Sequence, residues 1–239
     1  VRFVANDLAQ QMAEEAVNHP IGTIIKNEDN ASSSNTKNQL YTVLTDWPDQ
    51  CVAADITSYM NGYGDPRMPK YFKKQATGVE GEEYIGMRSG LSYGDNDHGP
   101  KFSRINVGAQ DRMLWLCAAE TAFNKAEGAM LGWNMGGTTQ ELYEEGIRLS
   151  FAQWGVDGVD KYLGDNTSKQ NNYSDPYGQG SSTAISTITI KWNESANDEE
   201  KLERLITQKW IALWPLGQEA WSEHRRTGYP KFFPVAGNV

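Results

Sequence analysis

The chain has 239 residues, 38% hydrophobic and 22% charged, with a formal net charge of −9. That length can bury a substantial core as one large domain or two small ones, and acids spread along the chain argue against nucleic acid and anionic lipid as electrostatic partners. Eight tryptophans and eleven tyrosines, set among many polar residues, suit a surface that recognises polar, ring-shaped ligands, or a large core with long loops.

The first element is a helix over Phe3 to Val17, with Val4, Leu8 and Met12 on one face and a stop at His19-Pro20. Gly22 to Gln39, with its polar run Asn27 to Asn35, reads as a loop. A short helical piece lies around Ile56 and Met60, and Gly86 to Arg104 is a second, glycine-rich loop. Gln110 to Leu131 predicts a helix whose close-packing face is Leu114, Cys117, Thr121, Ala122 and Ala126. Gly132 to Gly137 breaks it. Thr138 with Glu141 then forms a capping box for a helix that buries Leu142, Ile147, Phe151 and Trp154. Gly164 to Ser182 is a third polar loop, and Ser186 to Trp192 alternates like a short strand.

The last helical segment starts at a cap from Asn197 or Asp198, with Glu199 and Glu200 at its positive end. Its apolar stripe is Leu202, Leu205, Ile206, Trp210, Leu213 and Trp214. Pro215 either kinks this helix or opens the next, which ends with Arg225 and Arg226 in its last turn, Gly228 as a left-handed stop and Pro230 beyond. Trp210, Trp214 and Trp221 at helical spacing read as core. Cys51 and Cys117 fit no metal-ligand spacing; a single disulfide is open to them but not indicated, and they read as two free, buried thiols.

Several segments, in this order, carry a family resemblance. They are Asp65-Pro66-Arg67-Met68-Pro69 with Tyr71-Phe72, Ala119-Glu120 through Ala129 with Gly132-Trp133, Leu142 to Ile147 with Trp154-Gly155-Val156, and Gln208 to Pro230. Together they resemble the SusD/RagB-like nutrient-binding lipoproteins of Bacteroidetes. The resemblance implies a mainly α SusD-like fold with tetratricopeptide-like helical pairs, long irregular loops and minor β structure. It treats 1–239 as one domain, the central to C-terminal part of such a protein, with the signal, lipid anchor, first helices and C-terminal tail outside the chain. The implied function is non-catalytic binding of oligo- or polysaccharide at the cell surface, for delivery to a SusC-like TonB-dependent transporter in the outer membrane. No cofactor, metal or nucleic acid is implied, and the membrane is reached only through the anchor.

Such binding stacks the apolar face of a sugar on an exposed ring, while amides, carboxylates and arginine read the hydroxyls. The candidates are therefore loop aromatics Trp47, Tyr59, Tyr63, Tyr93, Tyr173 and Tyr177, with Asp65, Arg67, Arg88, Asp95, Asp97 and His98 as polar neighbours. Asp95-Asn96-Asp97 lacks the glycine and distal glutamate of a calcium loop, so it reads as a solvated turn. Two other classes compete. A glycoside hydrolase needs two carboxylates flanking one bond, for which no local signature is present. A repeat-type interaction scaffold would bind protein and no sugar.

Overall fold

In the computed structural model, which describes residues 5–18, 37–46, 50–74, 84–91, 101–111 and 113–237, the chain is mainly helical. Among these residues there are nine helices and one two-stranded antiparallel ribbon. Contacts resolve two compact units within the sequence. One comprises Val1–Lys26, Leu114–Asp165 and Ile190–Pro230; the other comprises Asn27–Met113, Asn166–Thr189 and Lys231–Val239.

The first unit holds α1 (Asn6–Val17), α5 (Ala118–Met130), α6 (Thr139–Trp154), α7 (Val159–Leu163), α8 (Asp198–Ala212) and α9 (Gly217–Thr227). The second holds α2 (Gln39–Asp46), α3 (Ala54–Gly62), α4 (Met68–Tyr71) and the strands β1 (Phe72–Lys73) and β2 (Arg104–Ile105).

The hairpin of α5 and α6 is the heart of the first unit. α5 turns Ala119, Ala122, Phe123 and Ala126 inward, and α6 answers with Leu142, Tyr143, Gly146, Ile147 and Phe151. Small residues let the backbones approach: a Cβ on Gly146 would stand 2.8 Å from the Phe123 ring. The predicted capping box is present, with Glu141 N–H donating to Thr138 Oγ1 and Thr138 N–H donating to the Glu141 carboxylate. α6 stops at Gly155, whose φ of 59° is the left-handed cap that glycine adopts without a Cβ clash.

α8 packs against α5, α6 and α9. Enclosed on several sides, it buries Glu203, Arg204, Thr207, Gln208 and Lys209 as well as Leu205, Ile206 and Ile211. Its cap is Asn197, whose side chain accepts from Glu200 N–H. Pro215 neither kinks α8 nor opens α9; it lies in the connection, after a cis Trp214–Pro215 bond. Gly228 ends α9 at φ 79°, as its sequence position implies.

Four expectations are corrected. Leu8 and Met12 are 51% and 59% exposed, because α1 turns the side carrying Ala9 and Ala13 inward, where the Glu14 carboxylate accepts from Asn134 N–H. α5 begins eight residues later than predicted, since Cys117 is extended and Leu114 to Leu116 run outside any helix. Trp221 is half exposed on α9, whereas Trp210 and Trp214 are half buried. Ser186 to Trp192 alternates buried and exposed as a strand would, but it forms no ladder. Side chains hold it instead: Gln170 Oε1 accepts from Ser186 N–H, and in the first unit Tyr143 Oη donates to the Ile190 carbonyl at 2.5 Å.

In the second unit, extended segments weave around α3. Met87 N–H donates to the Val52 carbonyl, Val52 N–H to Ser103, and Ala54 N–H to Met87. Gly86 lies so close to Ala53 that a Cβ would stand 2.2 Å from its carbonyl oxygen. Helices α2 and α4 are not anticipated from sequence. Asn38 caps α2 through its side-chain oxygen, which accepts from Leu40 N–H at 2.9 Å. Cys51 and Cys117 are not joined in a disulfide; Cys51 is half-buried, and burial pushes the Cys117 thiol up to about 11.

Candidate functional site

Tyr59, Tyr63, Asp65 and Arg67 are brought together, but as framework of the second unit. α3 is buried from Ala54 through Met60, which places Tyr59 on a core helix and Tyr63 at its cap. Their rings are 6.0 Å apart, and their hydroxyls donate to the Lys231 and Ile188 carbonyls, each at 3.0 Å. The Asp65 carboxylate accepts from Arg67 backbone N–H, from Nε at 2.9 Å and from Nη2 at 2.5 Å. The Arg67 side chain is wholly buried. A buried pair is tolerated only when its hydrogen bonds are met in this way, so the Asp-Pro-Arg segment braces the turn and presents no charge to solvent.

Tyr173, Tyr177 and Arg88 form a second group, around the loop from Asn172 to Ser182. Tyr173 and Ser182 exchange backbone hydrogen bonds, closing the loop at its base. The Asp175 carboxylate accepts from Gln179 and Gly180 N–H, which folds the tip. Arg88 clamps it: Nη1 donates to the Gly180 and Ser181 carbonyls, while Nη2 and Nε donate to the Pro234 carbonyl. Tyr173 is buried, packed on Phe233 with centroids 6.0 Å apart. It too is core.

Tyr177 differs. It is the candidate ring that sits half exposed at a loop tip, with Lys101 Nζ 4.1 Å above its centroid and Phe102 at 5.8 Å. Lys101 also donates to the Pro176 carbonyl, which holds the ammonium over the ring. Such a cation–π contact fixes the ring orientation in advance of any ligand. Arg88 therefore positions the loop, and Tyr177 keeps part of its ring open to solvent. Trp47, Tyr93, Asp95, Asp97 and His98 lie outside the described residues.

Two exposed indoles escape the sequence reading. Trp115, 76% exposed, lies in the extended approach to α5, and Trp221, 52% exposed, stacks on His224 with the rings 24° from parallel. Helical periodicity assigned Trp221 to the interior, whereas Trp115 was given no place on the packing face of the helix expected over Gln110 to Leu131; no signal in a single sequence distinguishes a surface tryptophan from a core one at helical spacing. Among the described residues no group of three or more His, Cys, Asp or Glu side chains could hold a metal, and no helix is long and apolar enough to cross a membrane.

A family model described as Susd and RagB outer membrane lipoprotein matches residues 1–239. Solved structures agree. A SusD homologue from Bacteroides uniformis is 44% identical with a TM-score of 0.91; the match covers 98% of this chain and 50% of that one. A chitin-binding SusD homologue from Flavobacterium johnsoniae is 42% identical with a TM-score of 0.90, covering 100% and 50%. A SusD homologue from Bacteroides vulgatus is 38% identical with a TM-score of 0.88, covering 100% and 49%. The chain thus spans about half the length of these relatives. No curated protein matches. With the whole sequence inside the family model and the helical units superposing on these structures, the chain belongs to the SusD-like family.

Proposed function

We propose that the protein binds glycans without chemistry at the surface of the outer membrane and delivers them to a SusC-like TonB-dependent transporter. The observation that carries this reading is the likeness over the whole chain, at 42% identity, to a SusD homologue described as chitin-binding. The family description, outer membrane lipoprotein, supports the location, with a lipid anchor as the attachment.

The binding surface is assigned to the polar aromatic loops of the second unit, with Tyr177 as the stacking ring among the described residues. Trp47, Tyr93, Asp95, Asp97 and His98 complete the assignment by their place in the polar loops of the sequence. A ring held in place by Lys101 loses little freedom on binding, which suits recognition of a sugar's apolar face.

Titration with N-acetylchitohexaose, followed by analysis of the recovered oligosaccharide, tests the reading. Saturable binding with intact ligand is expected. Cleavage of the ligand would instead favour a hydrolase, and binding of protein without any sugar would favour a scaffold.

A further inference from the structure

The ribbon of β1 and β2 puts two cations directly opposite each other. Its register pairs Phe72 with Ile105 and Lys73 with Arg104. Directly opposed residues in an antiparallel pair project from the same face with Cβ atoms about 4.5–5.5 Å apart, and like charges in that position repel. A ribbon this short gains little stability from such a pair. The same two residues line a cleft of about 280 Å³, with Tyr41, Leu44, Gln50, Ile105 and Val107 beside them among the described residues.

The chemistry of that wall is unlike the chain around it. The protein carries a formal charge of −9, yet the described residues of the cleft include two cations and no carboxylate. Arg104 Nη1 donates to the Gln50 carbonyl, which fixes the guanidinium against the wall. Lys73 is exposed. Tyr41 and Leu44, on α2, supply an aromatic and an apolar surface beside the charges. The volume is just below the roughly 300–1,000 Å³ usual for drug-sized ligands, so it suits one ring or one chain end of a longer polymer.

We infer that this cleft is a subsite for an anionic sugar residue, a uronate or a sulfate ester, held by Lys73 and Arg104 with Tyr41 against the ring. The subsite rests on the glycan-binding reading and adds to it a ligand class: polysaccharide that carries acidic residues. An anion between the two opposed cations relieves their repulsion, and charge-assisted hydrogen bonds of this kind are about twice as strong as neutral ones.

The test compares N-acetylchitohexaose, oligogalacturonate, its methyl ester and a κ-carrageenan oligosaccharide on the wild type and on Lys73→Gln and Lys73→Glu. Lys73 is exposed, so both variants should keep the fold, which circular dichroism checks. Oligogalacturonate or carrageenan binding that falls about tenfold in Lys73→Gln, further in Lys73→Glu, and with added salt supports the subsite. A response to oligogalacturonate that methyl esterification removes identifies the carboxylate; a response to carrageenan identifies the sulfate. Equal affinity of wild type and both variants for the anionic oligosaccharides overturns the subsite. So does binding of the chitin oligosaccharide with no binding of either anion, an outcome that leaves glycan binding intact. Absence of binding to every sugar overturns both readings together.

Discussion

Arg226 reaches both carboxylate oxygens of Glu127, Nη1 to Oε1 and Nη2 to Oε2, each at 2.6 Å, and so ties α9 to α5. The same guanidinium also meets Glu223, which in turn pairs at 3.0 Å with Lys209 of α8, and Lys209 donates to Asn124 at 2.7 Å. Three helices are joined by one chain of charges. The Lys209 side chain is 1% exposed while that of Arg226 is 31% exposed, so the two cations are not equivalent.

Glu223→Ala should therefore cost more than Glu127→Ala. The first leaves a buried ammonium without its carboxylate, a loss of about 3–5 kcal/mol, whereas the second leaves Arg226 partly solvated and still bound to Glu223. Chemical denaturation of the two variants checks the order. Equal losses would show that Lys209 finds another partner when Glu223 is removed.

Acid should weaken the first unit through Glu223. Burial alone would raise its carboxyl, but hydrogen bonds from Arg226 and the charge of Lys209 outweigh burial and hold it below the ordinary 4.5. A carboxyl depressed in the folded state contributes stability that is fully present above its unfolded value and lost as pH falls through the folded one. Glu120 works the other way: burial raises it, so it favours folding while protonated and opposes it as pH rises through its folded value. Stability measured against pH should fall below about pH 4.5, with a smaller fall in Glu223→Gln. Glu120→Gln should raise stability at pH 7 and leave the acid fall in place.

Gly146→Ala sets two effects against each other. Alanine improves helix propensity by up to about 1 kcal/mol, but its Cβ would stand 2.8 Å from ring carbons of Phe123, which is wholly buried. Overpacking a buried ring costs about 1–3 kcal/mol, so the net change should be destabilising. Thermal unfolding of the variant checks this. A rise in melting temperature would mean that α5 and α6 separate freely.

Tyr177→Ala and Tyr63→Phe separate recognition from framework. Removing the Tyr177 ring should lower glycan affinity about tenfold and barely change stability. Removing the Tyr63 hydroxyl leaves the Ile188 carbonyl without its donor, costs about 1 kcal/mol of stability and leaves affinity unchanged. Isothermal titration together with denaturation reads both. Unchanged affinity in Tyr177→Ala would move the search to Trp115 and Trp221, whose indoles are the exposed ones among the described residues.

The helical frame was legible where local chemistry acts alone. Thr138 with Glu141, Asn197 before α8 and Gly228 after α9 are caps whose side chains or φ angles need only their own neighbours. Burial was legible only in part, because it depends on what packs against an element. Leu8 and Met12 repeat at helical spacing yet face solvent. Lys209 and Arg204 fall outside the apolar stripe yet lie inside, since α8 is hemmed in by three helices. Ser186 to Trp192 has the alternation of a strand but no partner strand, so a period of two could not reveal that hydroxyl and amide side chains replace the ladder.

The candidate site was harder to read for the same reason. Tyr59, Tyr63 and Tyr173 sit in polar, turn-rich sequence, but their rings fill the interior between segments distant in the chain. Tyr177 lies only four residues beyond Tyr173. What distinguishes it is the Asp175 turn, which carries the ring to the loop tip, and Lys101, which meets it from a remote segment.

Calorimetric titration of the protein with N-acetylchitohexaose and oligogalacturonate, with the recovered sugars analysed for chain length, tests the central claim most directly. Saturable binding of at least one of the two, with every chain recovered intact, is the predicted result. Shortened chains, or no heat of binding with any polysaccharide fragment, would contradict it.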